Sequence, residues 1–380
     1  MHNNLSYWEE TSFYRGYDVI IIGSGIVGLS AAYHLKIKQP ALKVGILEAG
    51  FLPSGASTKN AGFACFGSIS EMIDDLTDAS QDEVLQVVEA RWKGLEKLKS
   101  LLGEQAIDYQ KLGGYEIFKD NDQQSADLCI EAIPRFNKLF KEITGHADIY
   151  SVSSAKITDF GFKQVKSMII NRCEAQIDTG KMMLSLLTLV KKQGVYVFNN
   201  CKVQQVRKQD PKCLVQTNQG SFETNKIIYA TNAFTGEFYP ELIIEPGRGQ
   251  ILVTAEIPGL KVKGAFHYDK GYYYFRNINN RILLGGGRNL DFEAEKTLEH
   301  GITVEIQSAL ETLLYETIIP GQQPTIEYRW SGVMAFGKEL KPIIKKLEDD
   351  IYCAVRCNGM GVAIGSLSGE QVADLVLTNL

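Results

Sequence analysis

The sequence contains few of the residues that build metal sites and disulfide frameworks. Its five histidines are scattered along 380 residues and indicate no metal site. The seven cysteines are odd in number and form no Cys-x-x-Cys pair, which fits buried, reduced thiols better than disulfides. We therefore expect neither a metal centre nor a disulfide framework.

Long apolar runs and runs of like charge are also missing. The apolar stretch over residues 19–29 is too short and too rich in glycine to span a bilayer. The N-terminus, MHNNLSYWEE, has no basic segment followed by an apolar one, as a secretory leader would. The net charge of −5 is spread evenly, which argues against nucleic acid as a partner. These features predict a soluble, cytoplasmic protein with no transmembrane segment, and they leave its oligomeric state open.

A glycine-rich turn follows the first apolar strand, in YDVIIIGSGIVGLSAAYHL. Gly23 fits a tight bend, Gly25 lets the backbone approach a pyrophosphate, and Gly28 lets the following helix pack closely on the strand. The second strand ends at Glu48, whose carboxylate suits ribose hydroxyls and would repel a 2′-phosphate. The spacing predicts a dinucleotide site that disfavours NADP.

The regular strand and helix alternation stops after residue 48. A small-residue loop, a helical pattern at 82–102, a strand at 113–118 and a helix at 123–144 intervene before the alternation returns at 179–199. Residues 251–284 are rich in strand signals, with a turn at Asn279 and Asn280. Residues 305–317 read as a helix, and SGVMAFG reads as a loop. The pattern predicts a second domain inserted into the nucleotide-binding domain.

Several blocks of the chain together resemble the FAD-dependent amine and amino acid oxidoreductases of the D-amino-acid oxidase, glycine oxidase and sarcosine oxidase group. The blocks are GSGIVG with Glu48, GASTKNAGF at 55–63, ATNA at 230–233, PGRGQ at 246–250, and the RWSG and NGMGVAIGSLSG segments. The resemblance extends over essentially the whole chain. It implies an α/β fold with a glutathione-reductase-like, FAD-binding Rossmann domain and an interleaved α+β substrate domain built on an antiparallel sheet. The expected FAD-binding domain comprises residues 1–85, 150–235 and 325–380, and the substrate-binding domain comprises 86–149 and 236–324.

The resemblance also implies a set of cofactor-binding residues. The small residues that begin GASTKNAGF let backbone amides meet phosphate or flavin. The amides at the start of the last helix would face the flavin pyrimidine edge, where negative charge develops on reduction. The expected cofactor-binding residues are Gly23, Ser24, Gly25, Ile26, Val27, Gly28, Glu48, Ala49, Gly55, Ala56, Ser57, Lys59, Asn60, Ala61, Gly62, Val203, Ala230, Thr231, Asn232, Gly332, Asn358, Gly359, Met360, Gly361 and Val362.

Candidate substrate residues lie mainly in the strand-rich region. Alternation in GYYYFR puts Tyr272, Tyr274 and Arg276 on one face, where the rings suit an amine through packing and cation–π contact. Packing inside the strand core is the alternative for either ring. Trp330 is a wall of the site or a packing residue, and Arg248 meets an anion or forms a structural salt bridge.

The usual family anchors for a substrate carboxylate are replaced here by Met334 and Ala363. A carboxylate would then need Arg248, Arg276 or Arg356, or the substrate lacks one. No cysteine follows the Trp-x-Gly segment, where sarcosine-oxidase-like members attach flavin, so we expect non-covalent FAD.

The resemblance implies a flavoenzyme that takes hydride from the carbon next to the nitrogen of a small amine or amino acid. The resulting imine would hydrolyse, and the electrons would pass to oxygen or another acceptor. The oxygen-activating lysine of some relatives appears here as Gly285, with Lys59 as a substitute candidate. Two alternatives remain: a flavin-binding electron-transfer or assembly subunit without amine turnover, and a flavin domain acting on a modified nucleoside.

Overall fold

The structure of the chain, a computed structural model, describes residues 5–378. Residues 1–4 and 379–380 of the expected FAD-binding domain lie outside the described residues. The strands are β1 Tyr17–Ile22, β2 Val44–Leu47, β3 Phe63–Ala64, β4 Gly114–Lys119, β5 Tyr150–Val152, β6 Val165–Asn171, β7 Ala175–Gln176, β8 Tyr196–Phe198, β9 Val203–Gln209, β10 Lys212–Thr217, β11 Gly220–Tyr229, β12 Glu245–Thr254, β13 Ala265–Tyr268, β14 Tyr273–Ile278, β15 Arg281–Gly286, β16 Ile326–Phe336, β17 Ile343–Glu348 and β18 Ile351–Val355. The helices are α1 Tyr7–Glu9, α2 Ile26–Lys38, α3 Ala56–Lys59, α4 Ile69–Asp78, α5 Gln81–Leu102, α6 Gln123–Thr144, α7 Lys156–Phe160, α8 Thr179–Lys192, α9 Phe292–Glu295, α10 Val304–Leu313 and α11 Gly361–Thr378.

The first sheet has the strand order β17, β18, β11, β1, β2, β8, and the hairpin β9–β10 joins it at β11. Strand β1 pairs in parallel with β2 and β11, and β11 pairs in parallel with β18. Val19 and Ile21 pack with α2, α8 and α11, whereas Ile20 and Ile22 pack on the other side with the β9–β10 hairpin. A central strand buried on both faces must be apolar throughout, which explains the run VIII.

The second sheet has the order β16, β12, β15, β14, β13, β4, β6, β5, and its pairs are antiparallel except β13 with β4. Strand β16 pairs with β12 over nearly its whole length, with Gly249 opposite Gly332. The prediction of a loop at SGVMAFG is therefore wrong, because residues 331–336 continue this strand. The predicted turn at Asn279 and Asn280 is confirmed, and both residues have positive φ. The predicted fold class is confirmed.

The two sheets draw on chain segments from both sides of the expected domain boundaries. Strands β5, β6 and β16 belong to the second sheet, although residues 150–171 and 326–336 were assigned to the FAD-binding domain. Helix α5, expected mainly in the substrate domain, packs its second half into the core of the first sheet beside α11. The predicted helix at 305–317 is α10 followed by a π-helical turn, Leu314–Ile318. The division into two domains stays a prediction.

Helix α11 lies unusually close to its neighbours. A Cβ atom on Gly369 would fall 2.7 Å from the backbone of α2, at Ala31 N and Val27 O. A Cβ atom on Gly94 of α5 would overlap the carbonyl oxygen of Ala363, in the first turn of α11. Glycine at these two contacts lets the three helices pack backbone against backbone. None of the helices in residues 5–378 combines the length and apolar character needed to cross a membrane.

We predict that Gly94→Ala lowers the free energy of unfolding by about 1–3 kcal/mol, because the added methyl group overpacks the contact with α11. The gain in helix propensity, about 1 kcal/mol, would offset part of this loss. Gly236→Ala is the matched control, since no atom lies within 4 Å of its added Cβ. Urea unfolding followed by circular dichroism measures both variants. Equal stability of Gly94→Ala and the wild type would contradict the packing described here.

Candidate cofactor and substrate site

A cavity of about 860 Å³ lies between the two sheets. The first sheet contributes the end of β1 and the loop that contains α3, and the second sheet contributes residues of β12 to β16. Every residue predicted to bind the cofactor lines this cavity except Gly28, which lies in the first turn of α2. Tyr272 and Tyr274 also line it. The other predicted substrate residues do not: Arg248, Arg276, Trp330 and Arg356.

The glycine turn after β1 has the geometry that its spacing predicted. Gly23 has a φ of +102°, and a Cβ there would come within 2.8 Å of Ala230 O. A Cβ on Gly28 would overlap the carbonyl oxygen of Gly23, so close packing of α2 on the strand requires glycine. A Cβ on Gly25 would fall 2.8 Å from Ser57 Oγ, which accepts a hydrogen bond from Ile26 N at 2.9 Å. These contacts leave a cradle of bare backbone at the start of α2.

Glu48 is buried at the edge of this cradle and has two structural partners. Its Oε2 accepts hydrogen bonds from Ser24 N at 3.0 Å and Ser24 Oγ at 2.6 Å, and its Oε1 accepts one from Gly50 N at 2.9 Å. A carboxylate offers about four acceptor positions, so at least one remains for a ligand hydroxyl. Glu48 thus holds the turn in place while it presents an acceptor to the cavity.

Arg276 and Asn60 together hold the loop that follows α3. Asn60 Nδ2 donates to Ser57 O at 2.8 Å, and Asn60 Oδ1 accepts from Gly62 N at 2.8 Å. Arg276 Nη1 donates to Gly62 O at 3.0 Å and to Ile177 O at 2.8 Å. The guanidinium of Arg276 is buried under this loop, so its place in the structure supports a positioning role instead of contact with substrate.

The start of α11 presents open backbone donors to the cavity. Gly359 has a φ of +78°, and Met360 N donates to Cys357 O at 2.9 Å to close the turn before the helix. The amides of Gly361 and Val362 have no acceptor within the part of the chain that the structure describes. A helix N-terminus with free amides stabilises negative charge on a bound group.

Three glycines of the second sheet lie at the base of the cavity: Gly249 lines it, and Gly247 and Gly285 lie beneath side chains that line it. Gly247, Gly249 and Gly285 lie on the face of β12 and β15 that meets the cavity, and side chains from neighbouring strands lie over them. A Cβ on Gly285 would fall 2.8 Å from the hydroxyl of Tyr274, and a Cβ on Gly249 would fall 2.9 Å from Cε of Met334. Gly247 lies under the ring of Phe336 in the same way. We call Gly247, Gly249 and Gly285 the glycine floor.

Trp330 and two of the predicted arginines are already bound to other parts of the protein. Trp330 Nε1 donates to Lys59 O at 2.9 Å and so ties β16 to α3. Arg248 makes a bidentate pair with buried Glu295 at 2.7 and 2.8 Å, on the face of β12 opposite the glycine floor. Arg356 donates to Glu339 Oε2 at 3.0 Å and to two backbone carbonyl oxygens, one of them Ile243 O at 3.2 Å. These placements argue against Arg248 and Arg356 as substrate anchors.

Arg288 is a cavity residue that the sequence analysis missed. It follows three glycines at the end of the β14–β15 hairpin, and its guanidinium carbon lies 4.0 Å from the ring centroid of Phe336. None of the described residues makes a hydrogen bond or salt bridge with its side chain. The only sequence signal is an arginine directly after GGG, which has no established meaning.

His267 lies in a buried cluster with Cys65 and Glu174, whose potential ligand atoms all lie within 4.8 Å of one another. His267 Nε2 is 3.2 Å from Glu174 Oε2, and Nδ1 is 3.9 Å from Glu71 Oε2. Burial lowers the pKa of His267, but the hydrogen bond to Glu174 and the charges of Glu174, Glu71 and Glu116 outweigh it and raise that pKa to about 9. His267 and Glu174 therefore form a buried ion pair within this cluster.

Comparison with known proteins gives a family match over most of the chain. The family model described as FAD dependent oxidoreductase matches residues 18–375. The chain is 25% identical to gamma-glutamylputrescine oxidoreductase of Escherichia coli strain K12 over 374 residues, which cover 94% of this chain and 83% of that protein. It is 23% identical to glycine oxidase of Bacillus subtilis strain 168 over 383 residues, which cover 96% of this chain and 94% of that protein.

The solved structure of glycine oxidase from Geobacillus kaustophilus superimposes with a TM-score of 0.77 and 17% identity, covering 97% of this chain and 96% of that chain. At this identity the structural likeness shows the fold alone.

We predict that Gly25→Val abolishes FAD binding, because the side chain would fill the backbone cradle and press on Ser57. Glu48→Ala should weaken binding by about 1.5–3 kcal/mol, the contribution of a hydrogen bond to a charged group. Fluorescence titration of the apoprotein with FAD measures both effects, and Gly236→Ala serves as a control because Gly236 does not line the cavity and no atom lies within 4 Å of its added Cβ. An unchanged affinity in Gly25→Val would remove the assignment of this turn to the cofactor.

We also predict that the stability of the protein falls as the pH rises from about 6.5 to about 9. The pKa of His267 is higher in the folded chain than its ordinary value of 6.5, so its stabilising ion pair is complete below that pH and is lost as the pH passes about 9. His267→Gln should lack this part of the pH dependence, whereas His146→Gln, at an exposed site, should keep it. Urea unfolding at several pH values gives the comparison, and identical slopes in wild type and His267→Gln would refute it.

Proposed function

Because the chain belongs to the DAO family of FAD dependent oxidoreductases, we propose that it oxidises the carbon–nitrogen bond of a small amine or amino acid, with FAD bound in the cavity between the two sheets. The observation that carries this proposal is the continuity of the cavity. It runs from the glycine turn and Glu48 to Gly249 and Tyr274.

The residues at the first end of the cavity fit FAD. The bare backbone at Gly25 leaves room for the pyrophosphate, and the amides of Val27, Gly361 and Val362 have no acceptor among the described residues. Free amides at two helix N-termini suit phosphate oxygens and the electron-rich edge of a flavin. Glu48 retains an acceptor for a ribose hydroxyl.

We propose that FAD is held without a covalent bond. Met334, not cysteine, lies in the segment after Trp330 and Gly332 where related enzymes attach flavin. Cys65 and Cys357 do line the cavity, but burial raises the pKa of Cys65 well above its ordinary value and that of Cys357 to about 12. Only a thiolate is a good nucleophile, so neither thiol is poised to form a bond.

The second end of the cavity provides a chamber for the substrate. FAD, when bound, supplies the acceptor for the hydride that leaves the carbon next to nitrogen. The glycine floor leaves space above the sheet, and Tyr274 and Met334 cover that space with a ring and a thioether. Burial raises the pKa of Tyr274 to about 12, so its hydroxyl stays neutral and can donate a hydrogen bond. These groups orient the substrate and limit the access of water.

Helix α4 lines part of the cavity with carboxylates. Glu71 lies 3.9 Å from the protonated ring of His267 and Asp74 pairs with Lys270, whereas Asp75 makes no salt bridge with any of the described residues. Burial raises the pKa of Asp75 to about 6, so this carboxyl is mostly ionised at neutral pH. Asp75 is therefore the carboxylate of this helix that can attract a protonated amine. The raised pKa of His267, about 9, argues against this ring as the base that takes up the amine proton at neutral pH.

The reduced flavin passes its electrons to oxygen or to another acceptor. Gly285 stands where some relatives carry an oxygen-activating lysine, and Lys59 lines the cavity as a substitute candidate. We also propose a cytoplasmic location, which the seven free cysteines support.

We expect the purified protein to be yellow and to release FAD into solution on acid precipitation. Anaerobic mixing with a panel of amines and amino acids should bleach the flavin with at least one member, and oxygen or a dye acceptor should restore the colour. Gly285→Ala should bind FAD but be reduced more slowly, because its methyl group would displace Tyr274 from the floor. If no amine or amino acid reduces the flavin, the protein is instead an electron-transfer or assembly subunit. If a modified nucleoside reduces the flavin, the protein is instead a flavin domain that acts on such nucleosides.

A further inference from the structure

We propose that the substrate is an amino acid whose carboxylate binds Arg288, so that this residue selects amino acids over amines without a carboxylate. The inference rests on the function proposed above and specifies its substrate class. It places the anchor at the end of the β14–β15 hairpin, and not on β16, where Met334 stands.

Three aromatic rings lie around the Arg288 guanidinium, and its N–H groups donate to none of the described residues. Its central carbon lies 4.0 Å from the ring centroid of Phe336, 5.1 Å from that of Phe292 and 5.7 Å from that of Tyr272. Rings stack against the flat face of a guanidinium, whereas its N–H groups point outward in the plane. A carboxylate can therefore pair with that edge through two parallel hydrogen bonds.

Arg288 also lacks the internal partner that the other arginines near the cavity have. Arg248 pairs with Glu295, Arg276 binds two carbonyl oxygens, and Arg91 donates to Phe66 O at 2.9 Å. No carboxylate in residues 5–378 lies within salt-bridge distance of Arg288. A partly buried cation without a partner is costly, so this side chain gains more from a bound anion than an exposed arginine would.

The position of Arg288 relative to the glycine floor limits the size of the substrate. Its Nη1 lies 3.7 Å from the Cβ position of Gly247, and the Tyr274 hydroxyl lies 3.6 Å from the Cβ position of Gly249. Alternate residues of a strand lie about 7 Å apart on one face. A carboxylate on Arg288 therefore puts the next one or two carbon atoms beside Met334 and Tyr274. A compact amino acid, with the amine close to the carboxylate, fits this spacing.

The test compares substrates that differ only in the carboxylate. The pairs are glycine with methylamine, alanine with ethylamine, and proline with pyrrolidine, each mixed anaerobically with the FAD-loaded protein. The protein variants are Arg288→Met, which keeps an unbranched apolar stem but removes the guanidinium, and Arg288→Lys, which keeps the charge but not the planar fork. Arg329→Met is the control, because Arg329 pairs with Glu311 outside the cavity at 2.6 Å.

A second measurement does not depend on turnover. Acetate is titrated into the oxidised, FAD-loaded protein, and its binding is followed by the change in the flavin absorption spectrum. Flavin content and the thermal midpoint of each variant show whether it has folded. If Arg288→Met fails to fold, Arg288→Lys and the same titration decide the question.

We expect at least one amino acid to reduce the flavin about 30-fold or more faster than its paired amine. Arg288→Met should weaken acetate binding and amino acid reduction by about 30-fold or more, as loss of one partner of a buried charge pair does. The acetate affinity and the reduction rate of Arg288→Lys should lie between those of Arg288→Met and the wild type, and those of Arg329→Met should match the wild type. Unchanged acetate affinity in Arg288→Met, or equal reduction by each amine and its amino acid, would overturn this inference. Reduction by neither class would overturn the proposed function instead, while the acetate titration would still test Arg288.

Discussion

Close contact between backbones, with no side chain between them, is the constraint on which the rest of this structure depends. Helix α11 can lie against α2 and α5 only because Gly369 and Gly94 stand at the two contacts. That position carries the first turn of α11 to the cavity beside the turn at Gly23 and Gly25. The same constraint recurs in the second sheet, where the glycine floor lets side chains of neighbouring strands fold over it. The absence of side chains at these glycines therefore shapes both ends of the cavity.

The parts of the site that could be predicted from the sequence are those that depend on neighbouring residues. Gly28 is needed because of Gly23 O, five positions earlier, and Glu48 reaches Ser24 across one strand, helix and strand unit. The arginines could not be judged in this way, because Arg248 is neutralised by a carboxylate 47 positions away and Arg276 is bound by Gly62 O at a separation of 214. Whether an arginine is free is decided by such distant partners.

Strand β16 shows the same limit at the level of the fold. Its segment SGVMAFG has small residues and no clear alternation, so local reasoning predicted a loop. Its backbone nevertheless pairs with β12, which lies some 80 positions earlier, and Gly249 stands opposite Gly332. The residues that cover the floor, Met334 and Phe336, come from this strand, which explains why the substrate chamber was harder to predict than the cofactor turn.

The passage of the chain between the sheets has a consequence for protein engineering. After β4 to β6, the second sheet receives β12 to β16 as one uninterrupted run, because β8 to β11 of the first sheet come before this run and β17 and β18 come after it. Residues 245–336 therefore contain the glycine floor together with Tyr274, Met334 and Phe336, which cover it. A chimaera that took residues 245–336 from a relative would move the floor and its cover together, whereas exchange of the β14–β15 hairpin alone would divide them.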